Sequence, residues 1–342
     1  MVNHNIKKKW LLIFILLVVF LLNSSSNLLA PYYYTFNDED DPYIKWVDFN
    51  VPYSAMKDAL KYDIESYGSS PRIIWIEILA YIAAKNGGNF SGYRSSNTEK
   101  IINELKNGKT MDDLTENLKY YGYYKEAYMA VLSEFVGEYQ IEGNDNEGNK
   151  TIETKYGLRA FSPIAKGFYY NHYDDFGNSR TYGFTRRHLG NDLIANIGTP
   201  VIAVESGIVE ALGWNQYGGW RIGIRSFDGR RYYYYAHLRK NYPYHKSMHI
   251  GKKVKAGDVI GYVGRSGYST TENTNNIRTS HLHFGIELIF SEAQRSRHNE
   301  IWINVYNIVK LLDSNRSEVY KDEESKEYYP LHDIKIIPEL YD

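Results

Sequence analysis

The chain contains no cysteine in its 342 residues. Disulfide staples and thiolate metal ligands are therefore excluded, and any metal must be held by histidine and carboxylate. Neither charge sign is in excess: 40 Lys and Arg against 41 Asp and Glu give a formal net charge of −1. No global basic field invites nucleic acid. Long apolar runs are also lacking. The longest, Trp10–Leu22, has 13 residues, short of the roughly 20 that a full membrane span needs. There is no internal repeat. A chain of this length still accommodates two domains, each with its own core.

What is present begins at the N-terminus. Lys7, Lys8 and Lys9 precede the apolar run, and a Ser- and Asn-rich stretch follows to Ala30. This is the basic and apolar order of an export signal, and the lysines fit the positive-inside rule. No sharp small-residue cleavage site follows, which favours a signal anchor over residues 1–30 above a cleaved signal. Either way the rest of the chain is expected to face outward, on a single-pass membrane protein or a secreted one.

The acidic, Pro-flanked stretch 31–44 reads as a linker. From 45 to 140 the period is helical, with helices expected over 51–67, 72–85, 97–107, 110–121 and 124–137. Gly87-Gly88 should end the second, and Asp112 and Asp113 suit a first turn. Glu65 and Glu77 could be read as an opposed carboxylate pair, but helix-borne acids usually lie on a solvated face. Residues 141–154, rich in Gly, Asn and Asp, read as a second linker. Over 155–312 the period becomes two with Gly-rich turns, and 313–342 reads as a charged tail. The fold class is α+β: an N-terminal membrane segment, a small all-α domain and a C-terminal antiparallel β-sandwich or barrel-like domain.

Four short signatures in the strand-rich part carry the chemistry: His188-Leu-Gly-Asn-Asp192, His237 in Tyr-Ala-His-Leu, Gly264-Arg-Ser-Gly267 and His281-Leu-His283. They supply the ligand types of a hydrolytic zinc site. Alternation places His281 and His283 on one face of a strand, opposite Leu282, Phe284, Ile286 and Leu288. The same rule puts His237 on the face of Tyr233 and Tyr235, opposite Tyr234, Ala236 and Leu238. His188 and Asp192 could be i,i+4 on a helix, but Gly190 and Asn191 between them favour a loop running into a strand.

In this order the signatures resemble the lysostaphin/LytM-type zinc endopeptidases, peptidoglycan hydrolases with the duplicated hybrid motif fold. The resemblance covers roughly residues 180–310 and includes Gly198–Val209 and Val254–Gly261. It implies that His188, Asp192 and His283 bind Zn2+ and that His237 and His281 are the catalytic pair. It further implies a peptidase domain over 155–312 that faces outward and acts on stem or cross-bridge peptides of peptidoglycan. The helical domain is then a spacer, or a surface for an extracytoplasmic protein partner.

The chain departs from the family in two places. Tyr268–Ser280 is a long polar loop before His281, expected to form part of a groove wall, and Gly285 stands where an acidic residue is common. Two other readings compete. A non-catalytic wall-binding or partner-binding scaffold of the same fold has to explain an intact five-residue set. A lipoyl-like carrier, suggested by Val254–Gly261, leaves the histidines unexplained.

Overall fold

The computed structural model describes residues 47, 49–144, 150–291, 294 and 299–336. The expected signal anchor and the linker at 31–44 lie outside the described residues. Among those described, no helix is long and apolar enough to cross a membrane.

The helical period yields α1 (Tyr53–Glu65), α2 (Trp75–Asn86), α3 (Ser95–Lys106), α4 (Met111–Thr115) and α5 (Tyr121–Leu132). On α1 the buried residues Ala55, Met56, Ala59 and Leu60 repeat at helical spacing. On α2 nearly every apolar side chain is buried. That helix ends at Gly87, whose φ of +61° suits glycine, and its N–H caps Ala83 O. Asp112 and Asp113 do occupy the first turn of α4, and Thr110 caps it. This helix stops at Thr115, short of the expected 121. Glu65 is paired with Lys61 at 3.8 Å and Glu77 with Lys125 at 2.6 Å.

The stretch read as a second linker is instead a hairpin, β1 (Val136–Asn144) with β2 (Lys150–Leu158). Within the described residues, 141–144 and 150–154 are therefore paired strand rather than linker.

The strands that follow are β3 (Tyr170–His172), β4 (Ser179–Tyr182), β5 (Phe184–Arg187), β6 (Asn191–Ala195), β7 (Pro200–Ile202), β8 (Gly207–Asn215), β9 (Gly219–Ser226), β10 (Arg231–Ala236), β11 (Lys253–Val254), β12 (Val259–Tyr262), β13 (His281–Leu288) and β14 (Ile301–Ile303). Helix α6 (Tyr306–Leu312) and strands β15 (Val319–Lys321), β16 (Tyr328–Pro330) and β17 (Ile334–Ile336) complete the chain. The principal sheet has the order β11-β8-β9-β10-β13-β6-β3, with β14 also on β13. Every ladder in it is antiparallel. One face buries Ile222, Ile224, Tyr233, Tyr235, Leu282, Phe284, Ile286 and Leu288. A two-stranded sheet, β7 with β12, adds Val201, Ile202, Val259 and Ile260 to the buried set.

Of residues 313–342, read as a charged tail, the described part, 313–336, carries structure. Strand β17 pairs with β1, Asn315 donates to Leu158 O and Ala160 O, and Arg316 donates to Ala165 O. Asn315 and Arg316 thus satisfy backbone carbonyls of the stretch 158–165.

Residues 44–342 form one compact unit. Arg231 joins its helical and strand-rich parts. Fully buried on β10, it reaches Glu205 at 2.8 Å and 3.1 Å, Asp228 at 2.7 Å and the α5 carbonyl of Ala130 at 2.7 Å. Tyr233 also donates to Glu205. Removing the guanidinium would leave a buried carboxylate unpaired, so Arg231→Leu is predicted to cost about 3–5 kcal/mol in denaturant unfolding. A loss below about 1 kcal/mol would mean that this network does not hold the two parts together.

Candidate metal centre and its cleft

Register assembles the site. Strand β13 pairs with β6 so that His283 faces Asp192 and His281 faces Ile194, while on its other side His283 faces Ala236 of β10. Alternation puts His281, His283, Gly285 and Glu287 on the face opposite the core, as the sequence pattern requires. His188 follows β5 and leads directly into β6, a loop entering a strand rather than one turn of helix. Gly190 lets this entry lie flat on β13. A Cβ there would stand 2.6 Å from Phe284 O and 2.8 Å from the His283 ring. Asn191 points the other way, donating to Tyr173 O and accepting from Val305 N–H at 3.0 Å.

His237 does not follow the expected alternation. Tyr233 and Tyr235 are wholly buried in the core, whereas His237 lines the cleft with Tyr232 and Tyr234. Strand β10 ends at Ala236, and His237 has a left-handed backbone with φ +60°. That conformation, uncommon for a non-glycine residue, turns the side chain out of the core. The Gly264–Gly267 turn holds it there. Ser266 O accepts from His237 Nδ1 at 2.9 Å, and Ser266 Oγ donates to Leu238 O at 2.6 Å. A Cβ on Gly264 would lie 2.5 Å from Arg239 backbone.

The donor atoms converge. His188 Nε2 lies 2.8 Å from His283 Nδ1 and 3.0 Å from Asp192 Oδ1, and His283 Nδ1 lies 3.3 Å from Asp192 Oδ1. Tetrahedral zinc with bonds of roughly 2.0–2.1 Å spaces its ligands by about 3.3 Å, so a cation fits after shifts of a few tenths of an ångström. Three acceptors facing one another also require either a cation or a proton between them. His281 Nε2 stands 3.6 Å from Asp192 Oδ1, and its Nδ1 is fixed on Thr279 O at 2.8 Å. The His237 and His281 ring centres are 4.8 Å apart.

Sequence reasoning missed two supporting residues. Asp175 accepts from His188 Nδ1 through its backbone carbonyl at 3.1 Å, with its carboxylate at 3.3 Å. The two Asp175 oxygens favour a proton on Nδ1, which leaves Nε2 to bind, as outer-shell carboxylates do in metal sites; Arg180 Nη2 also lies 3.1 Å from Nδ1. Arg180 bridges Asp175 at 2.5 Å and Asp192 at 3.1 Å. Nothing in the local sequence distinguishes Asp175 from its neighbour Asp174, which instead accepts from Asn304.

Charge follows this geometry. Burial acts to lower the His188 imidazole, but Asp175 and Asp192 outweigh it and raise it to about 9. Burial also works against the Asp192 carboxylate, yet His188 and His283 hold it far below its ordinary value. His283 is lowered chiefly by burial. His237 is lowered by burial and by the histidines beside it, and so stays neutral.

The centre opens into a cleft of about 910 Å³. Arg180, Arg186 and Arg187 of β4 and β5 line it together with Tyr268, on which Tyr182 stacks with ring centres 5.2 Å apart. Tyr234, Glu287, Glu300 and Trp302 line it too. Of the long loop before His281, Tyr268 alone among 268–280 lines the cleft. The rest is pinned away from it, with Asn273 accepting from Trp220 Nε1 and Asn241 N–H. Gly285 is required by close approach, since a Cβ would meet Leu189 O at 2.7 Å and Trp302 at 3.0 Å.

A histidine–aspartate cluster able to hold a metal ion thus lines a cleft on an antiparallel sheet. Residues 186–296 match peptidase family M23, and the chain carries a domain of that family. It is 34% identical over 182 residues to an L-Ala–D-Glu endopeptidase of Bacillus subtilis, covering 53% of this chain and 51% of that one. Over 98 residues it is 42% identical to lysostaphin of Staphylococcus simulans, 28% of this chain and 17% of that one. The chain thus spans about half the length of the first relative and less of the second. In fold it resembles a crystal structure from Ruminococcus gnavus assigned as a glycyl-glycine endopeptidase, lytM, with a TM-score of 0.51 and 23% identity. That likeness covers 82% of this chain and 92% of the other.

A bound cation and the proton on His188 compete for the same nitrogen. Between its ordinary value of 6.5 and about 9, cation affinity is predicted to rise about tenfold per pH unit, with one proton released per ion bound. The raised imidazole stabilises the metal-free fold fully below 6.5, and that contribution fades as pH rises through about 9. Calorimetry in buffers of different ionisation enthalpy checks the first point. Equal affinities at pH 7 and pH 9 would contradict it.

Proposed function

We propose that this domain is a zinc-dependent endopeptidase that hydrolyses peptide bonds in the stem or cross-bridge peptides of peptidoglycan. The observation that carries the reading is the convergence of His188, Asp192 and His283 beside His237 and His281 in one cleft. The names of the relatives, all endopeptidases, support it. In this reading His188, Asp192 and His283 hold the metal. Zinc, when bound, supplies a Lewis acid that polarises the scissile carbonyl and acidifies water.

Hydrolysis needs one proton taken from the attacking water and one delivered to the departing amine. His237 and His281 suit these transfers. Each donates its Nδ1–H to a backbone carbonyl, leaving Nε2 as the acceptor. Fixed tautomers cost no reorganisation at the moment of reaction. Tyr268 and Trp302, both in the lining of the cleft, offer flat apolar contact for an extended peptide. We further propose that residues 1–30 anchor the chain in the cell membrane, so that the domain meets the wall from the extracytoplasmic side, and that the helical part spaces it from the membrane.

The test is digestion of purified peptidoglycan by the full chain, with mass spectrometry of the fragments and a metal assay. His188→Ala is expected to lose both metal and cleavage. His281→Ala is expected to keep most metal while its turnover falls by about 10²–10⁴-fold. A zinc-loaded protein that leaves several wall chemistries uncut would transfer the domain to a binding role.

A further inference from the structure

Two guanidinium groups in the cleft belong to neither the metal cluster nor its supports. Nη1 of Arg186 and Nη1 of Arg221 are enclosed and, among the described residues, donate to no acceptor, and both residues line the cleft. Arg180, by contrast, is neutralised by Asp175 and Asp192. Among the described residues no carboxylate oxygen lies within 4.0 Å of Arg186 or Arg221. Arg186 is held over the rings of Tyr217 and Tyr268, its guanidinium carbon 4.9 Å and 5.2 Å from their centres. This contact orients the cation without neutralising it.

The sheet fixes how far these cations stand from the reacting centre. Arg221 on β9 precedes Ile222, whose neighbour is Tyr235, and β10 separates β9 from β13. Arg221 is therefore two strands from His283, roughly 10 Å at the spacing of paired strands. Ala236 is the β10 residue paired with His283, and Tyr234, two residues back along β10, has its ring centre 5.8 Å from that of His283. The fields of Arg221 and Arg186 both reach its hydroxyl. An extended peptide advances about 3.3–3.6 Å per residue, and an arginine side chain shortens the gap further.

We propose that Arg186 and Arg221 form an anion subsite that takes a free carboxylate of the substrate peptide, within about two residues of the bond hydrolysed. A carboxylate fits because it accepts two parallel N–H bonds from a planar fork and neutralises the charge in the same step. The cleft then selects acidic peptides, such as γ-linked glutamyl peptides with a free α-carboxylate, over neutral oligoglycine. This inference rests on the endopeptidase reading and sharpens its substrate class.

The probe is a γ-glutamyl peptide and its twin in which only the α-carboxylate is replaced by carboxamide. Binding is measured by calorimetry on the full chain stripped of metal, so that no peptide is consumed, and cleavage on the full chain as purified. The acid twin is expected to bind about tenfold more tightly and to be cut with a kcat/KM about tenfold higher. In R186Q/R221Q the acid-to-amide ratio is expected to fall to near one, and the preference to lose its salt dependence. That ratio is a readout that general loosening of the fold would not change selectively. Should the double variant fail to fold, R221Q alone and the wild-type ratio still decide. Equal binding of the twins by wild type, or a preference that survives in the variants, would overturn the proposal. A tenfold binding preference with neither twin cut would instead leave the subsite standing and remove the endopeptidase reading.

Discussion

The pairing of β6 with β13, which sets Asp192 opposite His283, is the constraint on which the rest of the site depends. Side chains directly opposite on antiparallel strands have Cβ atoms about 4.5–5.5 Å apart. That is close enough for a carboxylate and an imidazole to share one cation. A slip of one residue would turn Asp192 toward the core and replace it with an apolar neighbour. The register is held by the opposite face of the same strand, where Leu282, Phe284, Ile286 and Leu288 are buried. Hydrophobic burial thus fixes the position of polar chemistry, and the two faces of β13 cannot be specified independently.

Around this pair the fold adds pieces that secondary structure alone would not provide. The left-handed His237 and the Gly264–Gly267 turn bring a second imidazole over the sheet. Asp175 and Arg180 arrive from the segment before β5, where Asp175 favours a proton on His188 Nδ1 and Arg180 pairs with Asp192. Each of the five central side chains therefore has a partner outside the cluster or a strand position that restricts it. The negative pair Asp175–Asp192 draws a proton onto His188 when no cation is present. That same field favours cation binding.

Much of this was legible in the chain. The helical period found the stripe on α1 and the apolar α2, and alternation placed His281 and His283 on one face, because both patterns are local and periodic. The loop from His188 into Asp192 could be read because Gly190 and Asn191 break a helix. What was not legible depends on tertiary contact. Strict alternation put His237 on the core face, since a single positive φ leaves no mark in a run of tyrosines. The β1–β2 hairpin looked like a linker because Gly, Asn and Asp suit a turn as well as a boundary. The C-terminal segment looked like a tail because its three-residue strands are too short to show a period, and β17 pairs with a strand far off in sequence, Ile336 with Tyr139. Asp175 and Arg180 carry no local signal at all.

The central claim is that strand register builds a cation site from His188 Nε2, Asp192 Oδ1 and His283 Nδ1. Anomalous diffraction at the zinc edge, from crystals of the full chain grown with one equivalent of zinc, tests it most directly. The account predicts a single strong peak within bonding distance of all three atoms. A peak elsewhere, or one that excludes Asp192, would contradict it.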